Sequence, residues 1–293
     1  MKILKIKEIP TPKIGHPDPP NSVLSKHEFS MGIIAPKGSG KTTLICNLLM
    51  FYKKYFNDIF IFSPTVLSDD KWDFIKKQEL LLENKPLKKW LQQEKKKREG
   101  TFQHQIVQDP PANIGYEENT NIAGNEFDGR IPEENFYHNY SEEDLEEILM
   151  RQKRIINGLK KAKKPKYLAD RILLIFDDLV GSALFGMAKD NLFKGFNTRH
   201  RHYSTSIIMV SQGYKEIPKT IRTNWSCLIL FEIANMKELT VIYEEFTMGL
   251  SFKDWLEMYN HAVEPEYAFL YLNLFAKKGL RCMQNFDKYL FHN

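Results

Sequence analysis

Residues 29–43 read Phe-Ser-Met-Gly-Ile-Ile-Ala-Pro-Lys-Gly-Ser-Gly-Lys-Thr-Thr, and their reading decides the fold. Phe29 to Ile34 form a short apolar run with strand character. Gly38 and Gly40 then allow a tight turn, and from Lys41 the chain continues as a helix with an apolar face, through Leu44, Ile45, Leu48 and Leu49. A strand, a glycine-bearing turn and a helix that opens on Lys-Thr make a phosphate cradle. Successive backbone N–H groups face the phosphates, Lys41 reaches the β- and γ-phosphates, and the Thr42 hydroxyl faces a magnesium ion. The helix adds its N-terminal partial positive charge. The nucleotide-binding loop is thus expected over Ala35, Pro36, Lys37, Gly38, Ser39, Gly40, Lys41, Thr42 and Thr43. Ala35 stands where the pattern begins with glycine, and Gly32 lies too early to substitute for it.

A second buried run, RILLIFDDL at 171–179, ends in two carboxylates. A carboxylate at the carboxyl end of a parallel strand shares a sheet edge with the phosphate loop. Asp177 is accordingly expected to orient the magnesium ion together with Thr42, and Asp178 to polarise the attacking water as general base. The run STSIIMVSQ at 204–212 ends in Gln212, whose amide is placed to hydrogen-bond the γ-phosphate or the lytic water. Ahead of that run, 196–202 reads FNTRHRH, which lies at the opposite sheet edge. Arg199 and Arg201 are therefore expected to act on a neighbouring subunit's nucleotide, or at an interface or on a DNA backbone, and Arg222 is a further interface candidate. His200 and His202 lack a clustered cysteine or carboxylate, so the stretch does not read as a metal site.

With DIFIFSP at 58–64 and NWSCLILFE at 224–232, five short apolar runs alternate with helical or long crossover segments. That alternation predicts an α/β fold in three layers, a mostly parallel central sheet with helices on both faces. Residues 1–28 carry five prolines and read as an extended arm. The core is expected over 29–235. Charged amphipathic helices are expected over 69–98, a long insertion or lid at about 99–140, and a helix from 141 with Ser141 as N-cap. Residues 236–293 are expected to supply a C-terminal helix, at about 235–260, and a terminal β-hairpin.

The 293 residues carry a net charge of +5, with 42% hydrophobic and 27% charged residues, which fits one folded core with elaborations. Basic residues cluster at 85–98 and 151–166, either as solvated helix faces or as contacts to a phosphate backbone. No apolar run approaches the roughly 20 residues of a membrane span. Cys46, Cys227 and Cys282 form neither a metal-ligand spacing nor a disulfide framework, which fits a reducing compartment.

The order of the phosphate loop, IFDDL, FNTRHRHYSTSIIMVSQGY and IPKTIRTNW resembles the genome-packaging ATPases of nucleocytoplasmic large DNA viruses, virophages and Polinton-type elements, in the FtsK/HerA-like branch of P-loop NTPases. The resemblance spans about 29–290 and includes YLNLF and NFDKY near the C-terminus. It implies an ATP- and Mg²⁺-dependent motor that moves double-stranded DNA into a preformed capsid. Its implied partners are other copies of itself in a pentameric or hexameric ring and capsid vertex proteins, with no membrane. The implied location is the host cytoplasm or a viral factory, with virion association. Residue by residue, it assigns Lys41 and Thr42 to the phosphate loop, Asp177 and Asp178 to the magnesium and catalytic carboxylates, Gln212 to the polar residue after the next strand, and Arg199 and Arg201 to the arginine-bearing segment. Ala35 departs from the pattern, and 99–140 has no counterpart in it. A helicase or conjugation-type pump would share this site chemistry, and a nucleotide-switched capsid scaffold would share the binding but not the turnover.

Overall fold

The computed structural model describes residues 15–102, 127–179, 183–185, 191–277 and 279–290. Five parallel strands make its centre: β1 (Ser30–Ile34), β2 (Asp58–Phe62), β4 (Ile172–Asp177), β5 (Thr205–Ser211) and β6 (Cys227–Leu230). A two-residue parallel strand, β3 (Phe136–Tyr137), joins one edge. On the other edge β7 (Leu270–Asn273), β8 (Cys282–Gln284) and β9 (Lys288–Tyr289) continue antiparallel, giving the order β3-β2-β4-β5-β1-β6-β7-β8-β9. The terminal hairpin is therefore an extension of the same sheet, with a third short strand after it.

Each central strand is buried on both faces, and the period of two divides its side chains between two cores. Phe60, Leu174, Phe176, Ile207, Met209 and Leu228 point to one face. Ile33, Ile61, Leu173, Ile175, Ile208 and Ile229 point to the other. The first face is covered by α4 (Glu142–Lys161), α5 (Leu192–Arg199), the short α6 (Lys219–Arg222), α7 (Met236–Glu245) and α8 (Phe252–Val263), and the second by α1 (Lys41–Phe51) and α2 (Asp70–Lys76). Gly32 makes one of these layers possible. A Cβ there would stand 2.5 Å from the Trp225 ring, so only a bare backbone lets that indole lie against β1.

Helix α4 begins as its sequence requires. The Ser141 hydroxyl accepts from the Asp144 N–H at 3.0 Å, and Glu142, Glu143 and Asp144 occupy the positive end of the helix. The basic cluster at 85–98 lies on α3 (Lys85–Phe102), whose Trp90 packs against Ile155 and Leu159 of α4. The C-terminal helical stretch differs from the expectation of one helix. It divides into α7 and α8, because Met248 and Gly249 take left-handed conformations that no α-helix continues through. Of the expected lid at about 99–140, residues 103–126 lie outside the described part. Residues 127–140 do not stand away from the body: Arg130 bridges to Glu79, Ile131 is buried, and β3 pairs with β2.

The arm at 15–28 crosses the edge of the sheet from which the parallel strands start. Tyr52 and Tyr55, just past α1, donate to the carbonyls of Ser25 and Pro17, and Tyr271 of β7 donates to that of Val23. These bonds tie down a segment whose prolines exclude helix and sheet. Between this arm and the turn after β7 lies a cleft of about 720 Å³, with Arg201 in its wall.

Candidate nucleotide site

The phosphate loop, the two carboxylates and Gln212 converge at the carboxyl edge of the sheet for a reason visible in the strand order. β5 lies between β1 and β4, and in register Ile34 pairs with Ser211 and Asp177 with Val210. The next residue on each strand is Ala35, Gln212 or Asp178, so three chain-distant positions meet. The Ala35 N–H donates to the Ser211 carbonyl at 2.9 Å, and the Asp178 N–H to that of Val210 at 3.3 Å. Gly38 and Gly40 have φ of 84° and 90°, the left-handed region where glycine costs nothing, and Gly40 is the N-cap of α1. Ala35 is fully buried and is not among the residues of positive φ, so this position asks neither for glycine's dihedral freedom nor for open space.

Lys41 Nζ lies 2.7 Å from Asp178 Oδ2, and the Gln212 amide donates to both oxygens of the same carboxylate, at 2.9 and 3.0 Å. Asp178 has φ 53°, a strained conformation that turns its side chain out of the strand's alternation toward the loop. Burial pushes the Asp178 carboxyl up, but hydrogen bonds from Lys41 and Gln212 and the Lys41 charge outweigh it and leave the group below the ordinary range. It is an anion at neutral pH.

Asp177 is a different carboxylate. It is wholly buried and its pKa is raised by desolvation, opposed by a hydrogen bond from Ser63 and by the Lys41 charge. Its Oδ2 accepts from Ser63 Oγ at 2.8 Å; Ser63 in turn contacts Thr65, whose hydroxyl accepts from the Trp72 indole N–H at 3.1 Å. Its Oδ1 is buried and has no hydrogen-bond partner among the described residues. An oxygen withdrawn from water and left unpartnered costs free energy, and a divalent cation with its waters would supply what is missing. The donor set fits magnesium, with Thr42 in the first turn of α1 as the second group. Sequence reading missed Ser63, although its place one residue beyond β2 at this edge is the available signal.

Arg199 and Arg201 lie at the other edge of the sheet and are exposed. Arg199 Nε donates to the Gly195 carbonyl at 3.0 Å, and the Arg201 guanidinium lies over the Phe275 ring at 5.9 Å. Arg222 takes no part in that surface. It is buried, paired with Glu245 at 2.7 Å and stacked on the Tyr214 ring, so its role is to fasten 214–222 to α7. The His200 Nδ1–H donates to the Asn197 carbonyl at 2.9 Å. Within the arm, His16, His27 and Glu28 bring ligand-type atoms within 4.8 Å of one another. The Lys166 ammonium, 2.7 Å from Glu28, already supplies that group with a cation.

The crystal structure of B204, the DNA-packaging ATPase from Sulfolobus turreted icosahedral virus, is 15% identical, with 84% of this chain and 92% of that one covered and a TM-score of 0.41. The genome packaging NTPase B204 from Sulfolobus turreted icosahedral virus 2, in complex with AMP, is 12% identical over 88% and 96% of the two chains, with a TM-score of 0.45. The pCW3 conjugation coupling protein TcpA with ATPγS is 12% identical over 90% and 61%, with a TM-score of 0.45. No curated protein sequence matches the chain. The family model described as "Poxvirus A32 protein" matches residues 20–110 and 119–287, nearly all of the chain past its arm. By that match the chain belongs to the poxvirus A32 protein family, viral genome-packaging ATPases whose motifs its sequence carries.

Proposed function

We propose that this chain hydrolyses ATP at the edge formed by Lys41, Asp177, Asp178 and Gln212, and that turnover moves double-stranded DNA into a capsid. The observation that carries the reading is the shared hold on Asp178, gripped by the ammonium that phosphates require and by the Gln212 amide. Lys41 neutralises Asp178 across a 2.7 Å ion pair. Arrival of the β- and γ-phosphates offers Lys41 a stronger, multiply charged partner. As the ammonium turns to the phosphates, the Asp178 carboxylate loses its main counter-charge and becomes more basic, while Gln212 keeps it aimed. A water placed between that carboxylate and the γ-phosphorus can then be polarised for in-line attack, with the proton passing toward Asp178. Base strength thus rises when substrate is in place. Thr42 and Asp177 would hold a magnesium ion, which would supply charge neutralisation to the phosphates.

Arg199 and Arg201, exposed at the opposite sheet edge, supply the charge that completes the site of an adjacent subunit in a ring. Contacts to DNA are to phosphates, since packaging acts on any sequence, and capsid vertex proteins are the further partners. The infected host's cytoplasm is the place of action.

The test is steady-state ATP hydrolysis with and without long linear double-stranded DNA. DNA stimulation that rises with protein concentration and is lost in Lys41→Ala supports a cooperative motor. Hydrolysis indifferent to every nucleic acid removes the DNA-motor reading for the isolated chain. Mixing Lys41→Ala with Arg199→Ala/Arg201→Ala addresses the shared site. Recovered activity supports arginine action across subunits, whereas an arginine variant with undiminished activity alone rules that role out.

A further inference from the structure

We propose that Tyr267 is the platform on which the base of the nucleotide stacks, an inference that rests on the phosphate-site reading of the turn around Lys41. The topology delivers this residue to the site. β6 runs parallel beside β1 and ends at the phosphate edge, and antiparallel β7 starts from that same edge. The link between α8 and β7 therefore passes next to the phosphate loop. Within it the Tyr267 ring approaches the loop itself: its Cδ1 lies 3.4 Å from where a Cβ on Gly40 would stand.

Two properties of Tyr267 have no use in the packing of the fold. The residue is 63% exposed, although an aromatic ring gains most from burial. It also adopts φ 61°, a left-handed conformation disfavoured for a bulky side chain and ordinarily left to glycine, asparagine or aspartate. A strained backbone that holds a large ring outward, beside a substrate site, is the pattern expected where the strain serves binding. The Glu266 carboxylate beside it pushes the Tyr267 hydroxyl's pKa up, an influence on the ring's polar tip.

The ligand class follows from the chemistry of the turn. With the β- and γ-phosphates at Lys41, the α-phosphate, ribose and base extend away from the loop along its flank, where the ring lies over Gly40. Stacking uses the π-face that every base has, so it gives affinity without reading base edges. Tyr267 therefore strengthens ATP and GTP alike and favours purines over the smaller pyrimidines.

The experiment measures binding by the full chain, using Mg²⁺-ATP, Mg²⁺-GTP and Mg²⁺-tripolyphosphate, the last carrying phosphates without a base. Asparagine accepts the left-handed conformation, so Tyr267→Asn removes the ring and leaves the backbone at ease. Tyr267→Asn is expected to weaken ATP and GTP about 10-fold and to leave tripolyphosphate unchanged, while Tyr267→Phe binds all three as the natural chain does. In Tyr267→Trp, fluorescence is expected to be quenched by ATP and not by tripolyphosphate. ATP affinity unchanged in Tyr267→Asn overturns the proposal. So does an equal loss for ATP and tripolyphosphate, which would make the ring a prop for the loop. Lys41→Ala separates this from the underlying reading: if it binds ATP as tightly as the natural chain, the phosphate site itself is misassigned, whatever Tyr267 does.

Discussion

Lys41 Nζ lies 2.7 Å from Asp178 Oδ2, so the cation proposed for the phosphates and the carboxylate proposed for the water are paired directly with one another. On the proposed reading, the phosphates compete with Asp178 for this ammonium. Asp178→Asn should therefore separate the two functions. The amide cannot take a proton from water and does not hold Lys41 as an ion, so kcat should fall by about 10²–10⁴ while the Kd for ATP stays the same or becomes tighter. Single-turnover hydrolysis beside equilibrium binding checks this, and a parallel loss of both would place Asp178 in binding.

Gln212 bonds both oxygens of Asp178, and on the proposed reading it acts on the attacking water through that carboxylate. Gln212→Ala should leave the carboxylate charged but free to rotate, lowering kcat by about 10-fold or more with a KM near that of the natural chain. Gln212→Glu should do more harm, because a second anion beside Asp178 competes for Lys41 and raises both carboxyl pKa values. A kcat–pH profile whose acid limb moves upward in Gln212→Glu is the readout.

Gly32→Ala should destabilise the fold without touching the chemistry. Its Cβ would meet the Trp225 ring at 2.5 Å, and that ring is fixed between Tyr214 and β1. Overpacking of this kind costs about 1–3 kcal/mol, which thermal denaturation with tryptophan fluorescence would detect as a lower Tm.

Burial raises all three thiols: Cys46 and Cys282 to about 11, and Cys227 to about 12, against an ordinary value of 9.0. In the folded chain they stay protonated while unfolded thiols begin to ionise near pH 9.0, so this contribution to stability falls as pH rises above that value. A thiol-specific reagent at pH 8 should react slowly with the native protein and rapidly with all three groups after denaturation. Fast labelling of the native chain would show that at least one of these pockets opens readily.

The sequence made the centre of the molecule legible and its margins less so. Strands such as 172–177 are buried on both faces, and a continuous apolar run ending in charged or turn residues has few other interpretations. Gly38, Gly40 and the following Lys-Thr marked the loop for the same reason, since a left-handed turn restricts the residue types it tolerates. Ser141 was readable as a cap because its bond to Asp144 is local. By contrast β3 has only Phe136 and Tyr137, and nothing in two residues distinguishes a strand from a turn. Ser63 on Asp177 and Glu245 on Arg222 are contacts between distant segments, set by sheet register and helix packing. Local pattern carries no trace of such pairs. The placement of Arg199 and Arg201 away from the chain's own phosphate loop did follow from strand direction, because parallel strands fix which ends share an edge.

The tyrosine bonds at the far end of α1 give that helix a mechanical character. Its first turn closes the phosphate loop, and just beyond its last turn Tyr52 and Tyr55 are fastened to the carbonyls of Ser25 and Pro17. Eleven residues at about 1.5 Å each make a tie rod of roughly 16 Å anchored at both ends. Any recoil of the loop would be loaded onto the arm across the sheet, on the side where Arg199 and Arg201 are exposed.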